Sequence, residues 1–588
     1  MTPIQHLRLF CLTVILVIGF AGILGQARRV TPASAPGIRL PRLTPLTPTP
    51  LERLSFASDE SSGDPIADGG EYFIEIPVDH FENKTTQTFK NRFWVNATYW
   101  EDGGPVFVFD SGEQDAEPLL PYYLQEYHGQ SAVMRLAERY NGVAILWEHR
   151  FYGVSLPFPV NRNTTGDQWQ FLNTEQALED FIFFANSFRK SSSDRQIPSK
   201  GDIRNDPLAL PIHPSGTPWV FLGGSYPGIR AAHLRIRNPE VVYAAWASSA
   251  PVQAEVDMAS YYKAAERSLT RNCSADWVSV TRHVDDTLMG DDDEAKTRMK
   301  LELLKARAGK PGGDTTEAED ITEDDARGTS DVSAASILMD PLDFYQYYGF
   351  KDSLLPFCNL LETKNFTQDA VEKGISTEEG VQSAFEAFLT AISELDYDSV
   401  PSSSSDPITD RSWMWQYCSE YGFYQRGDRN NPLSIQTAFA SLELFQGQCN
   451  RSFEGFIPPS PQTSKVNKYG GWNMNPSNVL WTNGEFDPWR TMGLASIEDN
   501  APKRTPSVKI PECNSVSSDN NTFFGMTYDD MVHVSDMRIL LTPDSNHTNF
   551  GTVGFYSPVA QEPFFAGIGL FQLALDKWLP CFDKQTEH

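Results

Sequence analysis

Positive charge is scarce in this chain. Across 588 residues, 48 Lys and Arg stand against 77 Asp and Glu, a formal net charge of −29. That balance argues against a nucleic-acid partner, whose phosphates need Lys and Arg. Cysteine is scarce too: seven residues, no two of them spaced C-x-x-C, which speaks against zinc and thioredoxin-type chemistry. No nucleotide, phosphate or metal motif stands out, so the expectation is a protein without cofactors. Long apolar runs are limited to Leu9–Leu24, behind His6 and Arg8. That run is shorter than the roughly 20 residues of a membrane span and suits a signal peptide over residues 1–25. An uncleaved anchor is the alternative, and no clean A-x-A cleavage site follows.

The rest of the chain fits export. With Cys11 in the leader, six cysteines remain, at 273, 358, 418, 449, 513 and 581. An even set in an oxidising compartment points to three disulfides, but the possible connectivities are many and none is assigned. Eight N-x-S/T sequons, at Asn83, Asn96, Asn163, Asn272, Asn365, Asn450, Asn520 and Asn546, suggest a glycoprotein. Residues 26–70 begin rich in Pro, Thr, Ser and Arg with little periodicity, and read as a flexible stem or pro-segment.

The most informative stretch is Val220-Phe221-Leu222-Gly223-Gly224-Ser225-Tyr226-Pro227-Gly228. A short apolar run reads as a buried strand. Two glycines permit a sharp turn. From Tyr226 the pattern becomes helical until Asn238-Pro239 ends it. A strand, a tight turn with serine at its apex and a helix behind form the nucleophile elbow of an α/β-hydrolase. Ser225 is therefore the candidate nucleophile, although Pro227 stands where G-x-S-x-G has its second glycine.

Other strands of such a sheet are legible. Residues 72–76 and 92–95 alternate like a leading hairpin. Residues 105–109 and 142–147 are buried-strand runs. The turn after the first of these, Ser111-Gly112-Glu113-Gln114, is where this fold draws one oxyanion-hole amide; the residue after the nucleophile supplies the other. Tyr226, Gly112 and Glu113 are the candidates. Glu148-His149-Arg150 follows residues 142–147, and His149 precedes the serine, the wrong order for this fold's base, so an ion-pair network is the better reading. Asn173 with Gln176 has a capping-box spacing. A further strand covers 243–247. Between about 254 and 466 helical patterns dominate, notably Ser260–Leu269 and Val381–Leu395. The acidic stretch 306–334 reads as a disordered loop. The sheet resumes at 478–481, and Phe564–Leu579 reads as a closing helix.

The expected architecture is thus an α/β-hydrolase sheet with an inserted, mainly helical cap: hydrolase parts at 71–253 and 467–588 around a cap at 254–466. Asp487, just past the resumed strand, is the candidate orienting acid, with Glu485 as the fallback. His533 and His547 compete as base; His547 lies inside the sequon at Asn546, where a glycan conflicts with a dry site. Trp489 is a candidate wall for substrate or a core residue.

With Ser225, Asp487 and His533 in that order, the chain resembles the serine peptidase family of lysosomal Pro-Xaa carboxypeptidase, dipeptidyl peptidase II and thymus-specific serine protease, which includes secreted fungal prolyl peptidases. The motifs are Glu148-His149-Arg150-Phe151-Tyr152-Gly153 with Ser155 and Pro157, Gly223-Gly224-Ser225-Tyr226, Asp487-Pro488-Trp489, and His533-x-x-Asp536-Met537-Arg538. Trp413-x-x-Gln416-x-Cys418-x-Glu420 adds a cap motif. The histidine motif selects His533 over His547. The resemblance implies a secreted, vacuolar or lysosomal peptidase that cleaves after proline through an acyl-enzyme, with Trp489 walling the proline ring. A homodimer is compatible with it. The long spacing from Asp487 to His533 places a surface insertion near Asn514–Phe523. Two rivals remain: an esterase or lipase, which an acidic, polar cap disfavours, and an inactive binding glycoprotein, which intact Ser, Asp and His disfavour. Exopeptidase and endopeptidase action are both open.

Overall fold

A computed structural model describes residues 70–82, 86–125, 131–190, 206–309, 316–342, 345–395, 406–516, 519, 521–537, 541–543, 550–552 and 562–582. The proposed signal peptide and stem, His547, Arg538, and the sequons at Asn83, Asn520 and Asn546 lie outside these residues.

Nine strands form one sheet: β1 (Gly70–Pro77), β2 (Thr88–Asn96), β3 (Val106–Asp110), β4 (Val143–Trp147), β5 (Trp219–Gly224), β6 (Val242–Ser248), β7 (Val479–Gly484), β8 (Thr505–Ser507) and β9 (Thr522–Tyr528). Their order is β1-β2-β4-β3-β5-β6-β7-β9-β8. The hairpin β1–β2 and the pair β2–β4 are antiparallel. Every other pairing in the sheet is parallel. The central strands β3, β4, β5 and β6 are buried along their whole length, because helices cover both faces of a parallel sheet.

The main helices are α1 (Ala132–Arg139), α2 (Thr174–Asn186), α3 (Tyr226–Arg237), α4 (Arg271–Met289), α5 (Asp293–Ala308), α6 (Val381–Ser393), α7 (Pro407–Gln416) and α8 (Glu562–Trp578). On one face of the sheet Val108, Ile145 and Phe221 pack with Leu178, Phe181 and Phe184 of α2 and Leu234 of α3. On the other, Phe107, Leu146 and Leu222 pack with Leu136 of α1 and Phe571 and Leu575 of α8. Each such fully buried side chain contributes roughly 1.5–3 kcal/mol. The strand ends at the middle of the sheet are therefore held on a rigid base. Asn173 caps α2 by accepting from Gln176 N–H, but the Gln176 side chain bonds His80 N–H and Asp79 instead, so the box its spacing suggests is not closed.

The chain between β6 and β7 builds a separate apolar core from Trp277, Phe357, Phe385 and Phe388, among others. It also contributes a two-stranded parallel pair, Glu255–Asp257 with Gly422–Tyr424. The acidic stretch departs from expectation. Residues 310–315 lie outside the description, but Thr316–Glu319, Glu323–Gly328 and Asp331–Ala335 are short helices rather than a disordered loop. Acidic residues sit in their first turns, where the helix dipole favours them. Thr322 and Asp325 form a capping box, and Arg327 pairs with Glu323 and Asp324. Ala326 and Ala334 are fully buried. Charge density alone masked this packing.

The extra length before His533 forms the sheet edge: β8 pairs β9, and the described residues 508–516 loop away after β8. Cys513 of that loop bonds Cys581 beyond α8. The other disulfides are Cys273–Cys358 and Cys418–Cys449. No helix among the described residues is long and apolar enough to cross a membrane.

Candidate active site

Ser225 occupies the turn from β5 into α3 with φ 64° and ψ −129°. A non-glycine residue there is strained by about 1–3 kcal/mol, and the surroundings must hold it. They do so from three sides. Ser225 N–H donates to Ser248 O of β6 at 2.9 Å, and the amides of Gly228 and Ile229 donate to Ser225 O at 2.9 and 3.2 Å. A Cβ on Gly223 would lie 2.2 Å from Pro227 O, so only glycine fits before the turn. Pro227 has its own reason. Gly112, at φ +66°, lies so close that a Cβ there would approach Pro227 Cγ to 2.3 Å. The loop after β3 thus rests on the proline that departs from the usual elbow.

Asp487 lies just beyond β7 and is fully buried. Its Oδ1 accepts from Trp489 N–H at 2.9 Å and stands 2.9 Å from His533 Nδ1. Its Oδ2 accepts from Asn483 Nδ2 at 3.1 Å. Glu485 faces elsewhere and accepts from Asp530 N–H at 3.1 Å. The structure therefore brings Asp487, not Glu485, against His533. With Nδ1–H held by the carboxylate, His533 keeps Nε2 for a reacting group, and that atom is buried without a partner. Ser225 Oγ makes no hydrogen bond to it. The two loops do meet: a Cβ on Gly224 would lie 2.5 Å from Val534 Cγ1.

Two buried groups anchor the histidine loop. Asp536 accepts from Ser248 Oγ at 2.5 Å and Tyr528 OH at 2.9 Å. Val534 N–H donates to Ser249 Oγ at 2.9 Å. Ser248 thus joins Asp536 to the amide of the nucleophile. Gln346, inserted from the cap, accepts from His533 N–H through its carbonyl and from Trp489 Nε1 and Tyr261 OH through Oε1. No periodicity or motif marks Gln346 in the sequence.

A small cleft beside Ser225 is lined by Glu113, Ser225, Tyr226, Ile229, Pro251, Trp413, Phe423 and Trp489. Trp489 is a cleft wall. Its ring packs against Tyr261 and Phe423 at centroid distances of 5.2 Å and lies 6.3 Å from the His533 ring. Trp413 and Phe423 come from the chain between β6 and β7, which thus places aromatic rings beside Ser225.

His149 is not a base here. Its Nδ1 lies 2.6 Å from Arg150 O and its Nε2 2.8 Å from Tyr226 OH. Burial first, then the Arg230 charge, lowers its pKa well below the usual histidine range, so it is a neutral ring accepting from tyrosine. Tyr226 OH also accepts from Gln416 Nε2 at 2.9 Å, and Gln416 Oε1 accepts from Tyr152 OH at 2.5 Å. Glu148 accepts from Arg92, Ser155 and the Ala116 amide. Arg150 pairs with Asp180, which also meets His80. These ion pairs are the network expected of Glu148-His149-Arg150. The cap motif docks on it: Glu420 accepts from both N–H and Oγ1 of Thr174, and Cys418 is held by its disulfide.

Both motif sets therefore meet where the chain between β6 and β7 packs on the sheet. Residues 76–199, 211–319 and 332–513 match the serine carboxypeptidase S28 family. The chain belongs to that family of serine peptidases. Ser225 and Asp487 fall inside the match; His533 lies beyond it. A probable extracellular serine carboxypeptidase of Arthroderma benhamiae is 26% identical over 75% of this chain, a span that covers 62% of the fungal protein's length. The mouse thymus-specific serine protease is 27% identical over 75% of this chain and 81% of its own. The bovine lysosomal Pro-X carboxypeptidase is 23% identical over 72% and 78%. Among solved structures, a proline iminopeptidase of Mycobacterium smegmatis aligns over 87% of this chain and all of its own at 11% identity and a TM-score of 0.31. The α/β-hydrolase assignment rests on the strand order and the elbow.

The sequons divide by exposure in this S28 chain. Asn163 and Asn450 are exposed. Asn96 is 3% exposed and donates through Nδ2 to Leu124 O at 2.7 Å, which leaves no room for a glycan in the folded protein.

Proposed function

We propose that this chain is an exported peptidase that cleaves peptide bonds after proline through a Ser225–His533–Asp487 triad. The observation that carries the reading is the buried 2.9 Å contact of Asp487 with His533 Nδ1, at the end of the sheet that bears the strained Ser225 turn. Ser225 Oγ attacks the carbonyl carbon while His533 Nε2 takes its proton. Asp487 holds the imidazole in that tautomer and stabilises its cation. The leaving amine departs with the His533 proton, and water reverses the sequence to release the acid. The Tyr226 amide opens α3 and has no partner within the helix, which suits an oxyanion donor worth roughly 3–4 kcal/mol.

Proline preference is supported by the cleft, whose flat walls are Trp413, Phe423 and Trp489, and by the likeness to the bovine lysosomal Pro-X carboxypeptidase. Export through a signal at 1–25 is supported by three disulfides. The proposed division is a hydrolase unit from 71–253 and 467–588 with a cap from 254–466. Glycosylation is proposed for Asn163 and Asn450.

Three peptides test this at about pH 5, with wild type and Ser225→Ala: one with a free amino terminus and proline second, one with a free carboxyl terminus and proline next to last, one blocked at both ends. Cleavage of one of them by wild type alone supports the reading and names the class: dipeptidyl peptidase, carboxypeptidase or endopeptidase. Turnover by Ser225→Ala refutes the nucleophile. Cleavage without regard to proline refutes the preference.

A further inference from the structure

The loop after β3 is where the second oxyanion donor is expected, and its Gly112 amide is already engaged. Gly112 N–H donates to Asp110 Oδ1 at 2.9 Å. What this loop presents beside Ser225 is the Glu113 side chain. It lines the same cleft as Ser225 and Tyr226, is 2% exposed, and its Oε2 has no hydrogen-bond partner.

The charged and titratable groups around it are few. Asp110 ends β3, Arg230 and Tyr226 lie on α3, and Tyr152 on the loop after β4. Arg230 gives its Nε to Asp110 Oδ2 at 2.5 Å, its Nη1 and Nη2 make no hydrogen bond, and none joins it to Glu113. A buried carboxyl with no counter-ion of its own keeps its proton. Burial, with the Asp110 charge adding, pushes Glu113 up to about 8 against the pull of its own amide and of Arg230. A carboxylic acid held neutral in this way is a hydrogen-bond donor.

We propose that the Glu113 carboxyl O–H donates to the carbonyl oxygen under attack and so completes the oxyanion hole with the Tyr226 amide. This rests on the serine peptidase reading. As the Ser225 Oγ–carbon bond forms, the carbonyl π pair moves to oxygen and the serine proton goes to His533. Glu113 donates its hydrogen bond and retains its proton. When the carbon–nitrogen bond breaks, the oxygen pair returns and the leaving nitrogen takes the proton from His533. Once ionised, Glu113 repels the oxyanion instead. Turnover therefore needs His533 deprotonated and Glu113 protonated, a bell-shaped dependence.

The test is kcat and KM from pH 4 to 9 for the peptide that wild type cleaves, with Glu113→Gln and Glu113→Ala. Labelling of Ser225 by a fluorophosphonate is followed over the same range, since its phosphoryl oxygen enters the same hole. Wild type is expected to lose kcat about tenfold per unit above about pH 8. Glu113→Gln, an amide donor that does not titrate, is expected to keep kcat within about tenfold and lose the falling limb. Glu113→Ala is expected to lose about 10²–10³-fold in kcat with KM little changed. A wild-type profile flat to pH 9, a falling limb that survives in Glu113→Gln, or an effect confined to KM overturns the proposal. The wild-type limb decides even if a variant misfolds. Should no peptide be cleaved, the peptidase reading fails by itself, and the pH dependence of Ser225 labelling still decides for or against Glu113.

Discussion

Removing one hydroxyl, in Tyr226→Phe, tests how the cap is held over the serine. That hydroxyl meets His149 Nε2 at 2.8 Å and accepts from Gln416 Nε2 at 2.9 Å, and all three side chains are buried. The change leaves one acceptor and one donor unsatisfied away from water. Each such orphan costs about 1–3 kcal/mol, so the variant should lose about 2–6 kcal/mol, and the backbone amide at 226 is untouched. Gln416→Leu removes the same donor from the other side and leaves Tyr152 OH without its acceptor, at a cost of about 1–3 kcal/mol. The double variant no longer buries the Gln416 amide, so the two losses should fall short of their sum by about 1 kcal/mol. Urea unfolding followed by tryptophan fluorescence, beside each variant's kcat and KM, measures this. Losses that add to within about 0.3–0.5 kcal/mol, the range for independent sites, refute the network.

Asp487→Asn should lower kcat on the order of 10⁴-fold with the fold intact, because the amide no longer selects the His533 tautomer; a loss below tenfold in steady-state kinetics refutes the assignment. Burial first, then the neighbouring Asp276 charge, pushes Glu362 up to about 8. The folded protein therefore holds a proton that the unfolded chain releases near its ordinary pKa of about 4.5. That contribution is complete below about pH 4.5 and is lost as pH rises through about 8; thermal melts across pH 4.5–8.5 should show a shallower decline in Glu362→Gln than in wild type. Glycopeptide mass spectrometry of the secreted protein should find glycans at Asn163 and Asn450 and none at Asn96; a glycan at Asn96 contradicts its packing against Leu124 O.

The sequence by itself determined the local features with strong short-range signatures. A strand, two glycines and a serine before a helix define the elbow within nine residues, since the strained turn is made by its own neighbours. The β1–β2 hairpin, the buried runs of β3 and β4, and the helix from Val381 follow from periodicity. The tertiary structure decided what depends on distant partners. Asp487 prevails over Glu485 because only its carboxylate meets a ring 46 residues further along the chain. His149 proves structural because Tyr226 and Arg150 take both its nitrogens. The acidic stretch folds because its small residues find the cap core, which its composition conceals. Glu113, first read for its amide, is proposed to act through its side chain. A carboxyl's protonation is set by burial and neighbouring charge, and neither is written in the residues beside it.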